Sequence, residues 1–141
     1  MNNNCLFCGI IEKRVPADIV FENETVVAFM DIHPTRPGHL LVVPKTHAKN
    51  VFDASWEALE PMFQFATKIA GALVKAVSAD GVNFIMNNGS ASGQMIFHSH
   101  LHLVPRFADD GLRHWPAMER TKEDIASDAE KIREELKAPP L

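Results

Sequence analysis

The chain has 141 residues, 46% hydrophobic and 23% charged, the balance of a globular domain with enough length to bury a core. Its formal charge of −4 and pI near 5.9 argue against nucleic acid as a partner, because a phosphate backbone selects basic faces. No run approaches the roughly 18 apolar residues of a membrane span, and the opening "MNNNCLFCGI" lacks a secretory pattern, so no membrane partner and a cytoplasmic location are expected.

Cys5 and Cys8 come first, spaced C-x-x-C. In a cytosolic chain that spacing suggests metal or redox chemistry more than a structural disulfide. A thioredoxin-type pair follows a strand, and no strand is expected ahead of Cys5. Two cysteines supply half of a tetrahedral metal site, and two buried, inert thiols are the plain alternative.

Residues 18–32, "DIVFENETVVAFMDI", read as two β-rich runs around Asn23-Glu24, a hairpin. In "HPTRPGH" (33–39), Pro37-Gly38 suits the centre of a type II turn. "LLVVP" (40–44) predicts a buried strand. From Ser55 to Ala79 apolar residues recur at steps of three and four, which predicts an amphipathic helix that starts late or bends at Pro61. "VNFIM" (82–86) predicts another strand, "NNGSASGQ" (87–94) a loop, and 96–104 alternates as a strand. Thr121 with Asp124 resembles a capped start for a solvated helix running to about Lys137, before Ala138-Pro139-Pro140. Strands joined by short loops favour an antiparallel sheet with helices packed on it, an α+β domain.

The segment "HSHLHLVPR" (98–106) concentrates chemistry, holding three of the chain's seven histidines. On a strand, His98, His100 and His102 share one face, with neighbours about 6.5–7 Å apart, close enough to share one ligand. Two readings follow. Imidazoles hold a metal with an open position for water, or one neutral imidazole attacks phosphorus while its neighbours bind phosphate oxygens. Gly89 and Gly93 in the preceding loop let backbone N–H groups approach an anion, although most such loops are simply turns.

"HSHLHLVPR" resembles the signature of the histidine triad family, with Ser99 small where the family has a hydrophobic residue. "CLFC", "AFMDIHPTRPGHLLVVPKTH" and "NNGSASGQ" resemble further family segments in the same order, so the likeness spans about residues 5–106. The resemblance implies one domain over 1–141, its core about 5–106 and a helical extension about 107–141. It implies a HIT-like fold: a five-stranded antiparallel sheet with one long and one C-terminal helix, continued across a homodimer.

By the same resemblance His100 is the nucleophile, with the backbone carbonyl of His98 holding its other ring nitrogen. His102 contacts phosphate and helps protonate the leaving group. Asn87, Gly93 and Gln94 line the phosphate pocket, Asp31 takes ribose hydroxyls, and Phe29 and Ile32 pack around a purine. From the residues alone, Phe29 and Ile32 read as strand core and Asp31 as a turn cap. Met95 stands where relatives carry a polar residue. Cys5, Cys8, His47 and His98 are the ligands of a structural Zn2+, as in some bacterial members; the alternative is an ordinary hydrogen-bonding His98. His33, His39 and His114 receive no catalytic role.

The implied activity is hydrolysis of purine nucleoside phosphoramidates or dinucleoside polyphosphates through a nucleotidyl-histidine. The rivals are a nucleotide-binding or sensor module without turnover, and a metallohydrolase with His100 and His102 as ligands.

Overall fold

The computed structural model describes Asn2 and residues 4–137. In chain order it contains α1 (Leu6–Ile11), β1 (Ile19–Glu22), β2 (Val26–Met30), β3 (Leu40–Pro44), α2 (Trp56–Val77), β4 (Gly81–Ile85), β5 (Leu101–Arg106) and α3 (Lys122–Lys137). The strands form one antiparallel sheet in the order β1-β2-β3-β5-β4. The chain divides into two units, Met1–Asp110 and Gly111–Leu141. Among the described residues no helix is long and apolar enough to cross a membrane.

The apolar runs of β2 and β3 are continuous because both faces of the sheet are covered. On one face Val26, Ala28, Leu40, Val42, Leu101 and Leu103 meet Leu59, Met62, Ala66, Ala70 and Leu73 of α2. On the other, Val27, Phe29, Leu41 and Val43 meet Phe7, Ile10 and Ile11 of α1. Period two in the strands and steps of three and four in α2 produce these faces. Pro61 lies inside α2, which runs through it without ending. The predicted turn forms: the His39 N–H donates to the Arg36 carbonyl, with Gly38 at φ +85°. Glycine is required twice over there, since a Cβ would meet Val77 Cγ1 at 2.9 Å.

The structure adds one element and corrects one expectation. The six-residue α1 has no signature in the sequence, because so short a stretch shows no helical period. The strand expected over 96–104 pairs only from Leu101, so His98 and His100 precede the ladder and only His102 lies in β5. The cause is a contact from far along the chain: the Ser99 N–H donates to the Ala48 carbonyl at 2.7 Å instead of joining the sheet.

In the second unit, the Asp124 N–H donates to Thr121 Oγ1 at 3.0 Å and the Thr121 N–H to Asp124 Oδ2 at 3.3 Å, the reciprocal cap expected there. α3 buries none of its described side chains. Ala138-Pro139-Pro140, expected to end it, lie outside the described residues.

Candidate functional site

Two groups of side chains meet on the face of the sheet that carries α1. The first is Cys5, Cys8, His47 and His98, whose ligand atoms all lie within 4.8 Å of one another. His98 Nδ1 is 3.5 Å from Cys5 Sγ, 3.6 Å from Cys8 Sγ and 3.2 Å from His47 Nδ1, and Cys8 Sγ is 3.4 Å from His47 Nδ1. Tetrahedral ligation with metal–sulfur bonds of about 2.3 Å and metal–nitrogen bonds of about 2.0–2.1 Å requires S···N separations of about 3.6 Å and N···N of about 3.4 Å. The cluster meets that requirement.

Its surroundings agree. His98 Nε2 lies 2.8 Å from the Pro44 carbonyl, which can only accept, so Nε2 carries the proton and Nδ1 turns a lone pair to the thiols. Burial, helped by His47 and His100, pushes His98 down to about 4 despite that hydrogen bond, so the ring is neutral and ready to ligate. Burial also raises the Cys8 thiol. A thiolate there needs a cation, and this donor set accommodates one.

His100 follows directly. It is buried, and its Nδ1 lies 2.6 Å from the His98 carbonyl. The carbonyl again fixes the proton on Nδ1 and leaves Nε2 with its lone pair. Burial holds His100 below the ordinary imidazole value, offset in part by this bond and by the charge of Asp31. The His100 and His102 ring centroids are 4.9 Å apart.

The second group is Asp31, His39 and His102. The Thr35 N–H donates to His39 Nδ1 at 3.0 Å, so a neutral His39 carries its proton on Nε2. That proton faces His102 Nδ1 at 2.9 Å, which in turn places the His102 proton on Nε2. Asp31 Oδ2 lies 3.4 Å from His39 Nε2, and Asp31 Oδ1 accepts the His33 N–H at 2.8 Å. Burial lowers His39, and burial with the neighbouring histidines lowers His102 to about 4.

The two clusters differ in the second nitrogen of each ring. His98 offers an N–H to a carbonyl, as metal-bound histidines do, whereas His39 receives one at the nitrogen a metal ligand would use as its outer donor. The second cluster is therefore a proton-bearing chain rather than a metal site. His39, for which the sequence analysis expects no catalytic role, is buried, its ring centroid 5.2 Å from that of His102. Parity in β3 carried the signal: His39 has the phase of Leu41 and Val43, and Leu41 stands opposite His102.

The loop residues are placed as follows. Gln94 is buried, with Oε1 accepting from the Gly89 N–H at 2.8 Å and from Asn50 Nδ2 at 3.4 Å. Its Nε2 donates to the Lys49 carbonyl at 2.5 Å and the Ile96 carbonyl at 3.1 Å. The side chain braces the loop. Gly93 stands at φ +93°, and a Cβ there would lie 3.7 Å from Asn87 Nδ2. Phe29 is buried against Phe7, with ring centroids 5.3 Å apart. Ile32 is 80% exposed and Met95 85%. His33 and His114 are exposed.

A family model described as the HIT domain matches residues 12–109. The chain belongs to the HIT domain family. This HIT domain is similar to the Streptococcus mutans protein SMU.412c, with a TM-score of 0.91 at 40% identity over 96% of this chain and 87% of that one. It is similar to a zinc-bound histidine triad family protein from Mycobacterium smegmatis, with a TM-score of 0.75 at 33% identity, covering 93% of this chain and 96% of that one. Among curated relatives, adenylylsulfatase HINT3 of Arabidopsis thaliana is 32% identical over 130 residues, 92% of this chain and 65% of that protein.

Proposed function

We propose that this HIT domain hydrolyses the α-phosphate linkage of purine nucleotides through a nucleotidyl intermediate on His100. One observation carries the reading: a buried imidazole whose Nδ1–H is committed to the His98 carbonyl at 2.6 Å, leaving Nε2 as an unprotonated nucleophile. Nε2 attacks the α-phosphorus, and the bond from phosphorus to the leaving group breaks. The leaving group takes a proton, and His102, bearing hydrogen on Nε2, is the donor placed beside His100. Water then attacks phosphorus and its proton restores His102 Nε2, the P–N bond breaks, and the lone pair returns to His100.

The nucleoside end belongs to Asp31 for the ribose, with Phe29 and Ile32 at the base. Asn87, Gly93 and Gln94 shape the loop beside the phosphates, where Gln94 acts by holding backbone N–H groups in place. Substrates of this class are purine nucleoside phosphoramidates and dinucleoside polyphosphates. The adenylylsulfatase among the relatives adds adenylyl sulfate, whose leaving group is also expelled from an α-phosphorus. The exposed Met95 offers no hydroxyl to any of these.

The metal of the first cluster is Zn2+, supported by its donor set and spacing and by the zinc-bound relative. When bound it supplies a structural tie. Cys5, Cys8, His47 and His98 hold it, which leaves His100 free for chemistry. β4 forms an edge of the sheet, and antiparallel pairing with β4 of a second copy would close that edge in a homodimer. The chain works as one HIT domain with a C-terminal extension, in the cytoplasm.

Rapid quench with an adenosine 5′-phosphoramidate, followed by mass analysis, tests the reading. It expects an adenylylated peptide containing residues 98–106, and His100→Ala turnover lower by at least about 10³-fold with nucleotide binding retained. Wild-type turnover no better than the variant's would leave a nucleotide-binding module instead.

A further inference from the structure

α1 is six residues long; its C-terminus is closed by the Lys13 N–H to the Ile10 carbonyl and the Arg14 N–H to the Gly9 carbonyl, with Lys13 at φ +60°, but its N-terminus lacks the usual supports. Its N-cap, Cys5, makes no side-chain cap hydrogen bond, and its first and last turns carry no acidic or basic residue. A helix this short has no stability of its own in water. Two further things secure its first turn. Phe7, Ile10 and Ile11 pack against Val27, Phe29, Leu41 and Val43. Its N-cap and its third residue, Cys8, are also the two thiols of the Cys/His cluster. A cation shared with His47 and His98 staples that first turn to the rest of the site.

Phe7 lies between the two cysteines in the sequence. Its ring centroid is 5.1 Å from that of His100 with the planes at 89°, 5.3 Å from Phe29 at 73° and 6.0 Å from His98 at 60°. All three are edge-to-face contacts, the arrangement aromatic quadrupoles favour. The hydrogen bond from Nδ1 to the His98 carbonyl anchors His100 at one atom. A ring pinned at one atom can still tilt, and the perpendicular ring of Phe7 removes that freedom.

We infer that Phe7 is a positioning residue that couples metal occupancy of the Cys5/Cys8/His47/His98 cluster to the orientation of His100. The inference rests on reading His100 as the nucleophile. Loading the cluster seats the first turn of α1, and with it the ring that holds His100 square to the phosphorus. Losing the metal releases that turn while Ile10 and Ile11 keep the rest of the helix docked. A parallel route exists, since His98 is both a member of the cluster and the backbone acceptor for His100. The test must separate the two.

The full chain is prepared with one equivalent of Zn2+ and again after stripping by a chelator. Histidine ring signals are followed by NMR at fixed pH, beside turnover of an adenosine phosphoramidate. In the wild type, stripping is expected to displace the His100 ring signals. Phe7→Leu keeps apolar bulk without a ring, and Phe7→Ala removes both. Each should still bind one Zn2+, show His100 already displaced with zinc present, and respond to stripping by less than half the wild-type shift. With zinc bound, Phe7→Ala should lose about tenfold in kcat with KM within about threefold, as expected when a reacting group is misplaced. Should Phe7→Ala not fold, Phe7→Leu carries the comparison.

An undiminished stripping response in Phe7→Leu would assign the coupling to the His98 carbonyl and overturn the role of Phe7. Wild-type His100 signals indifferent to zinc would overturn the coupling altogether. If the signals respond as expected but the wild type turns over no nucleotide, the coupling stands and the proposed reaction fails.

Discussion

Replacing His39 by phenylalanine removes two nitrogen atoms from a buried ring while keeping its bulk. His39 Nδ1 accepts from the Thr35 N–H at 3.0 Å, and Nε2 faces His102 Nδ1 at 2.9 Å. Thr35 sits in an exposed turn, so its N–H recovers a water partner, and each lost bond costs about 1 kcal/mol. His39→Phe is therefore expected to lose about 2 kcal/mol of stability, read as a lower urea midpoint at unchanged m. The chemical effect is larger in proportion. A positioned general acid contributes about 10²–10⁴-fold, and His102 keeps its proton on Nε2 because His39 occupies Nδ1. Loss of that constraint should lower kcat about 10- to 100-fold with little change in KM, measured by steady-state phosphoramidate cleavage. A variant that loses the stability but keeps kcat within about twofold would refute the proton chain and leave His39 as packing.

Three further outcomes follow from the same structure. Gly38→Ala places a Cβ 2.9 Å from Val77 Cγ1 and 3.0 Å from Leu73 Cδ1 at φ +85°, and should cost at least about 1–3 kcal/mol in urea denaturation. Ser99→Ala should gain about 1 kcal/mol, because Ser99 Oγ is buried with no hydrogen-bond partner among the described residues; thermal unfolding decides it, and a lower Tm would reveal a partner. Acid should weaken the metal-free protein over a defined window. His102 titrates at 6.5 when unfolded and about 4 when folded, so the unfolded chain binds more protons between those values. Its contribution is complete above pH 6.5 and is lost as pH falls towards 4, about 3 kcal/mol in all, read by urea midpoints from pH 7 to 4. His102→Asn should reduce that slope without abolishing it, because His98 is also lowered to about 4 and contributes over the same window.

The strands, the long helix and the C-terminal cap were legible because each has a strong local period or a local pair. "LLVVP" becomes β3, the steps of three and four from Trp56 become α2, and Thr121 with Asp124 starts α3. α1 was not legible. Its six residues give too short a pattern, and it is secured by contacts to β2 and β3 and by cysteines whose proposed co-ligands lie far along the chain. The triad segment misled in a related way. Its alternation reads as strand throughout, yet the backbone leaves the sheet before Leu101, because Ser99 bonds to Ala48, a residue no local pattern connects to it.

Composition and order along the chain were enough to set an α+β sheet and to single out the histidine segment, while the nucleotide reading came from its resemblance to the histidine triad family. Local propensity and side-chain period act within a few residues, and those features need no more. Proton positions are different in kind. Whether His100 attacks, His98 ligates or His39 relays depends on which acceptor faces each ring nitrogen, and those acceptors are the His98 and Pro44 carbonyls and the imidazole of His102. Two of the three lie more than fifty residues from the ring they serve, so only folding brings them into contact.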